Sequence, residues 1–207
     1  MRSGAELDVA PPLELERLAG GELLAIRSAE EHDAPLLRDL VADYAQARRR
    51  GRHLGWMGIS HRVPRSLQPL AAPAEQEECL LAIEPRSGRV LGMASISRRH
   101  QEHGVASPWL LVRDGFRRRG IGTVLLEHLA VRARLHEYER FRVRVVVSEQ
   151  RMLELMRGVG AGCRPVGSLR EIDADVPIPG EEGLGVALGA ALWAVARGGL
   201  VPMLPER

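Results

Sequence analysis

The sequence predicts an α/β chain of the α+β kind: a single domain with a mixed, mostly antiparallel sheet flanked by helices, and a C-terminal helical extension. Three observations carry this. Apolar runs of strand length come in neighbouring pairs joined by tight turns, as at Pro85-Arg86-Ser87-Gly88. Phe141–Ser148 alternates Phe141, Val143, Val145 and Val147 with Arg142 and Arg144, the period of a half-buried strand. Two other stretches, Leu36–Tyr44 and Gly120–Leu135, repeat apolar residues at helical spacing. Strands and helices interleave, which favours a mixed sheet over a purely parallel one.

Taken in order, residues 1–12 are expected to be a disordered lead. Leu13–Leu18 and Glu22–Arg27, around Gly20-Gly21, read as a hairpin. Ser28, with Glu31 three residues on, reads as the N-cap of the first helix. Leu36, Leu37, Leu40, Val41 and Tyr44 form that helix's apolar stripe, and Arg48–Gly51 ends it. Residues 51–76 read as loop with one short helix. Cys79–Glu84 and Arg89–Ser97 make a second hairpin, and Arg98–Ala106 is a polar connection to a strand at Ser107–Arg113. Gly120–Leu135 is the long second helix, with Val124, Leu125, His128, Leu129 and Arg132 on one side. After the strand at 141–148, Arg151–Arg157 reads as a short helix closed by Gly158 and Gly160. Pro165–Ile172 is expected to be a strand, and the apolar run Leu184–Ala196 a buried or subunit-contact helix. The expected divisions are 1–12, a domain over 13–178, and an extension over 179–207.

Composition narrows the chemistry. At 207 residues and 45% hydrophobic content the chain can bury one real core. No run reaches the ~18 apolar residues of a membrane span. The N-terminus has no apolar segment of a secretory signal. Cys79 and Cys163 are far apart and suggest neither a disulfide framework nor a zinc site. A cytoplasmic location is the expectation. All 29 basic side chains are arginine, which we read as codon bias. The lack of lysine still excludes a GK[ST] phosphate loop and Schiff-base catalysis. A net charge of +2 argues little for nucleic acid, which is not an expected partner.

The informative stretch is Leu110–Thr123, LLVRDGFRRRGIGT. A strand enters an arginine-rich turn, and two glycines spaced G-x-G open an amphipathic helix. The first N–H groups of a helix lack intrahelical partners and sit at its positive end, so they suit a phosphate. Glycine lets the backbone approach the anion, and Arg117, Arg118 and Arg119 add charge. A dinucleotide fingerprint would need glycine at position 125, which is Leu125. On these residues alone, a solvated basic turn before an ordinary helix stays open.

Arg117-Arg118-Arg119-Gly120-Ile121-Gly122 resembles the Q/R-x-x-G-x-G/A motif of the GNAT superfamily of N-acetyltransferases. Val112 and Asp114 before it, Leu125-Leu126 after it, and VVVSEQRMLELMRGVGA at 145–161 are similar too. Within the superfamily the chain looks most like bacterial protein-lysine acetyltransferases, over about residues 13–165. The resemblance implies acetyl-CoA as cofactor. It implies that the backbone of Leu111, Val112 and Arg113 holds the pantetheine arm. The backbone N–H groups of Arg117, Arg118, Arg119, Gly120, Ile121, Gly122 and Thr123 would cradle the pyrophosphate. It implies a diverging strand at 141–148 that opens the cleft, and direct attack of an amine on the thioester.

Direct attack needs a neutral amine. A lysine ammonium near pKa ~10.4 costs roughly 4–5 kcal/mol to deprotonate at neutral pH. A positioned base typically adds ~10²–10⁴ in rate. Relatives often place a glutamate near the start of the strand preceding the motif. The position here is about Ser107, and Ser107–Arg113 contains no carboxylate. The tyrosine many relatives use as acid falls at Met156. Glu102 and His103, just upstream of that strand, are the substitute catalytic candidates, set against an exposed polar hairpin at His100–His103. The two histidines there lack further ligands for a metal. Glu149 stands where relatives commonly have asparagine near the cofactor; capping the short helix is its competing role. His128 reads as a core histidine with a satisfied nitrogen.

The expected function is therefore an acetyl-CoA-dependent N-acetyltransferase acting on a primary amine, either a small molecule or a protein lysine. The alternative is a regulatory module that binds acyl-CoA without turnover. A homodimer through the apolar extension is a further expectation.

Overall fold

Paired apolar runs become adjacent strands wherever a residue can turn the chain. The computed structural model describes residues 13–49, 76–97, 102–146, 162–165, 171–178 and 200–201. β1 (Glu14–Arg17) and β2 (Leu23–Ser28) form the expected antiparallel hairpin, with Leu15 opposite Ala25. β3 (Gln76–Glu84) and β4 (Arg89–Ser97) form the second, irregular in register at Glu77, between Gln76 and Glu78. The expected short helix in 51–76 falls almost wholly outside the described residues, as do the short helix at 151–157 and the apolar run at 184–196.

The first helix starts later than expected. Ser28 is not its cap, because β2 runs through Ser28 to pair it with Leu80. A 3-10 turn at Glu31–Asp33 leads into α1 (Ala34–Arg49). The buried Asp33 carboxylate accepts the Glu30 N–H at 2.9 Å and two bonds from Arg27 at 2.6 and 2.7 Å. A charge-assisted fork thus replaces a serine hydroxyl at the helix start.

The expected strand at Ser107–Arg113 is present at Pro108–Val112, but the end of the expected polar connection Arg98–Ala106 is a strand as well. β5 (Val105–Ala106) and β6 (Pro108–Val112) are separated at Ser107, and they have different partners. β6 joins β4, giving an antiparallel sheet in the order β1-β2-β3-β4-β6. β5 runs parallel to β7 (Arg140–Val146), which belongs to a second sheet with β8 (Gly162–Pro165), β9 (Glu171–Pro177) and β10 (Leu200–Val201). The expected strand at Pro165–Ile172 is thereby corrected: its ends belong to β8 and β9, and 166–170 lie outside the described residues. Asp173 and Asp175 look like loop residues in isolation. In β9 they stand opposite Arg144 and Arg142, and opposite charges across strands stabilise a sheet.

The core lies on both faces of the first sheet. Leu37, Leu40 and Tyr44 of α1 pack with Cys79, Leu81, Met93, Trp109 and Leu111. On the other face lies α2 (Ile121–Leu135), whose Leu125, Leu129 and Ala130 meet Leu80, Ala94, Ile96, Leu110 and Phe141. Each fully buried leucine contributes roughly 1.5–3 kcal/mol. His128 is satisfied as expected, but by charge at the edge of the sheet: Glu16 Oε1 lies 2.9 Å from Nε2 and Glu14 Oε2 3.5 Å from Nδ1. Gly92 permits the close approach of β4 and β6, since a Cβ there would lie 2.8 Å from the Leu111 carbonyl oxygen.

Candidate active site

The change of partner at Ser107 creates a fork. Val105 and Ala106 pair with Arg140 and Phe141; beyond them β6 stays with β4 while β7 departs with β9. Leu200 and Val201 take the edge of β7 further along, at Val145 and Arg144. Among the described residues, the edge of β6 away from β4 has no strand beside it.

Antiparallel alternation decides which β6 groups face that edge. The Arg113 N–H donates to the Leu91 carbonyl at 2.8 Å, so Arg113 and, two residues earlier, Leu111 are turned toward β4. The Arg113 carbonyl accepts the Phe116 N–H at 2.9 Å. Both backbone groups of Arg113 are engaged within the protein, and the same phase turns Leu111 toward β4. Leu110 and Val112 face the free edge instead. The Val112 carbonyl accepts a long bond, 3.4 Å, from Arg117 Nε. Leu110 was not singled out from sequence, because period-two alternation gives two phases and only the partner strand chooses between them.

After β6 a 3-10 turn at Asp114–Phe116 leads into the glycine motif. Arg118 (φ +58°) and Gly120 (φ +91°) are both left-handed, on either side of Arg119. Alternating hand turns successive N–H groups into one concavity, an arrangement suited to anions. Gly120 caps α2, and its carbonyl takes the Val124 N–H at 3.0 Å. The N–H groups of Ile121, Gly122 and Thr123 precede the first carbonyl they could reach within the helix. Gly122 keeps α2 close to β6: a Cβ there would lie 3.2 Å from Leu110 Cδ2.

The three motif arginines behave differently. Arg117 is half-buried, 3.7 Å from Asp114, and burial pushes its guanidinium pKa down. Arg118 is exposed. Arg119 turns away to Glu22, at 2.9 Å, and lies over the Phe116 ring, 5.2 Å from its centroid. Its side chain braces the first hairpin, leaving its backbone as the part at the concavity.

Glu102 and His103 lie at the closed end of the fork, in the turn before β5. Both are exposed. The Glu102 carbonyl takes the Val105 N–H at 2.9 Å, and Gly104 accepts from the N–H groups of Glu139 and Arg140. The Glu102 carboxylate receives Arg142 Nη2 at 2.6 Å, and this bond holds its pKa below the usual carboxylate value. Arg142 is also bound by Asp175, and Arg164 reaches the same Asp175 at 3.0 Å. The network was not found from sequence. Its signal is the matched alternation of arginines in β7 with aspartates in β9. Glu149, Met156 and His100 lie outside the described residues.

A strand broken at the apex of a fork, an unpaired strand edge and an anion-binding helix start occur together here. The family model described as acetyltransferase (GNAT) family matches residues 44–161, more than half of the chain. The chain belongs to the GNAT acetyltransferase family. It is an N-acetyltransferase, and its cofactor is acetyl-CoA. The binding-only alternative is not favoured.

Solved structures agree on the fold of this acetyltransferase. The GNAT domain of Streptomyces lividans PAT superposes with a TM-score of 0.56 at 17% identity, over 80% of this chain and 96% of that one. A GNAT-family structure from Desulfovibrio desulfuricans gives 0.53 at 14% identity, over 75% and 99%. An N-acetyltransferase from Staphylococcus aureus gives 0.51 at 17%, over 75% and 99%. No functionally curated protein matches the sequence. Among the described residues of the acetyltransferase, no helix is long and apolar enough to cross a membrane.

Proposed function

We propose that this acetyltransferase moves the acetyl group of acetyl-CoA onto a primary amine, with a protein lysine side chain the first acceptor to test. The observation that carries the reading is the break at Ser107. Among the described residues it leaves Leu110 and Val112 on an edge with no strand beside it, next to the concavity at Arg118–Gly120. In this reading the pantetheine arm runs along that edge as an added strand would. The pyrophosphate rests on the backbone N–H groups of Arg117–Thr123, and the thioester lies near the apex.

The neutral amine attacks the thioester carbonyl directly. The bond from nitrogen to the acetyl carbon forms, the carbon–sulfur bond breaks, and the departing coenzyme A thiolate takes up the proton that the acylated nitrogen loses, leaving as the thiol. His103 accepts the ammonium proton, through a water where the distance requires one. Glu102 is the weaker candidate, because a carboxylate bound by Arg142 holds a proton less readily than a free one. Residues 13–178 form the catalytic domain in this reading, and 179–207 pack on the sheet or across a dimer contact. The pairing of β10 with β7 supports the first of those two placements.

Thiol release from acetyl-CoA, measured against a panel of small amines and lysine peptides, tests the function. Turnover with at least one amine is expected. Tight binding of coenzyme A without thiol release from any acceptor would refute transfer to amines. Deleting 179–207 is expected to expose apolar surface. A soluble, stable monomer with intact cofactor affinity would refute the packing role.

A further inference from the structure

Arg113 directly precedes the 3-10 turn that enters the motif, and its side chain points away from the cleft. It is only 6% exposed, yet each guanidinium nitrogen makes a hydrogen bond. Nε donates to the Val90 carbonyl at 2.7 Å, Nη1 to Asp43 Oδ2 at 3.0 Å, and Nη2 to Asp39 Oδ2. Asp39 and Asp43 are one turn apart on α1, so a planar fork spans both. Together these bonds tie β4, β6 and α1 at the point where the motif leaves the sheet.

Stability alone does not call for an arginine here. Val90, Leu111 and Tyr44 belong to the apolar core on this face, while Asp39 and Asp43 lie at its solvent side. The carboxylate partners of Arg113 are exposed, so the ion pairs themselves add little stability. An arginine contributes direction, because each of its bonds fixes the angle at which the chain leaves β6. Its carbonyl then holds the Phe116 N–H at 2.9 Å, closing the turn that delivers Arg117. Arg117 in turn reaches back to the Val112 carbonyl and lies within electrostatic reach of Tyr44 on α1.

We infer that Arg113 is a positioning residue for the cofactor loop: anchored to Asp39 and Asp43, it holds the turn that presents the motif backbone to the acetyl-CoA pyrophosphate. The inference rests on the proposed cofactor pose. It makes α1 the rear support of the cofactor site, through carboxylates 74 and 70 residues away in sequence.

Three variants test it: Arg113→Lys, Arg113→Met and the double change Asp39→Asn with Asp43→Asn. The aspartates are substantially exposed, 70% and 42%, so the double variant is expected to fold. Each is assayed for coenzyme A affinity by calorimetry, for KM and kcat with acetyl-CoA and an active amine, and for Tm. All three are expected to raise the Kd for coenzyme A and the KM for acetyl-CoA about 5- to 20-fold. The acceptor KM and the saturating kcat should stay within about twofold, since the chemistry at the apex is untouched. Arg113→Met separates positioning from packing: its affinity should fall even in protein shown to be fully folded at the assay temperature. Wild-type KM for acetyl-CoA in the folded variants, with only Tm or active fraction reduced, overturns the inference. Failure of the unmodified protein to bind coenzyme A overturns the cofactor pose and this inference together, whereas binding by wild type and Arg113→Met alike overturns the inference alone.

Discussion

Arg142 on β7 and Asp175 on β9 meet as a two-pronged ion pair, Nε to Oδ1 at 2.7 Å and Nη2 to Oδ2 at 2.9 Å. Both are largely buried, and Asp175 also holds Arg164. The pair stands at the residue where β7 leaves β5, so it braces the apex of the fork.

Asp175→Asn should therefore lower stability by about 3 kcal/mol, the size expected when one partner of a buried pair is removed. The Arg142 hydrogen bond holds the Asp175 pKa below its ordinary value, outweighing burial. A depressed carboxylate stabilises the fold above the unfolded value of ~3.9, and that contribution is lost as pH falls through the folded value. Urea midpoints measured from neutral pH into the acid range should fall for wild type below about pH 4. The Asn variant should fall less over that interval; an equal fall would show that other carboxylates dominate.

Tyr138 gives the opposite sign at the alkaline end. Burial, and then its hydrogen bond to Glu77, push its pKa up to about 12. Unfolded tyrosine ionises near ~10, so this stabilisation is complete below that value and is lost as pH rises through the folded one. Tyrosinate absorbance in the folded protein should include a late-titrating phenol that Tyr138→Phe removes. Glu77→Gln should bring that titration earlier, and an unmoved curve would assign the shift to burial alone.

The motif glycines should differ in tolerance. Gly120 sits at φ +91°, where alanine costs about 1–2 kcal/mol. Gly122 is helical, and a Cβ there meets side-chain ends of Leu110 and Val112 that can shift. Gly120→Ala should reduce both Tm and coenzyme A affinity more than Gly122→Ala. The reverse order in affinity would mean that contact with the ligand outweighs backbone hand.

His103→Ala should lower kcat/KM by about 10²–10⁴ if the imidazole takes the proton. Glu102→Gln should cost less than about tenfold, since its carboxylate is already engaged by Arg142. Steady-state rates across pH check this: losing the acid limb in the Glu102 variant, and keeping it in the His103 variant, would exchange the two roles.

Short-range pattern was enough for the sequence to determine the two hairpins, both helices, β7 within two residues at each end, and the motif that opens α2. Turn chemistry, amphipathic period and the helix-start glycines are local properties, legible within a dozen residues. The pairing of strands is not. Tertiary structure alone decided that 105–112 splits at Ser107, that Leu110 and Val112 rather than Leu111 and Arg113 face the fork, and that Glu102 is bound by Arg142. It also decided that Arg113 belongs to α1 as much as to the motif. Each outcome depends on a partner tens of residues away, such as Arg142 for Glu102 or Asp39 for Arg113. A strand's own alternation is satisfied equally by either phase. The choice falls to whichever neighbouring backbone and buried charge the fold brings alongside.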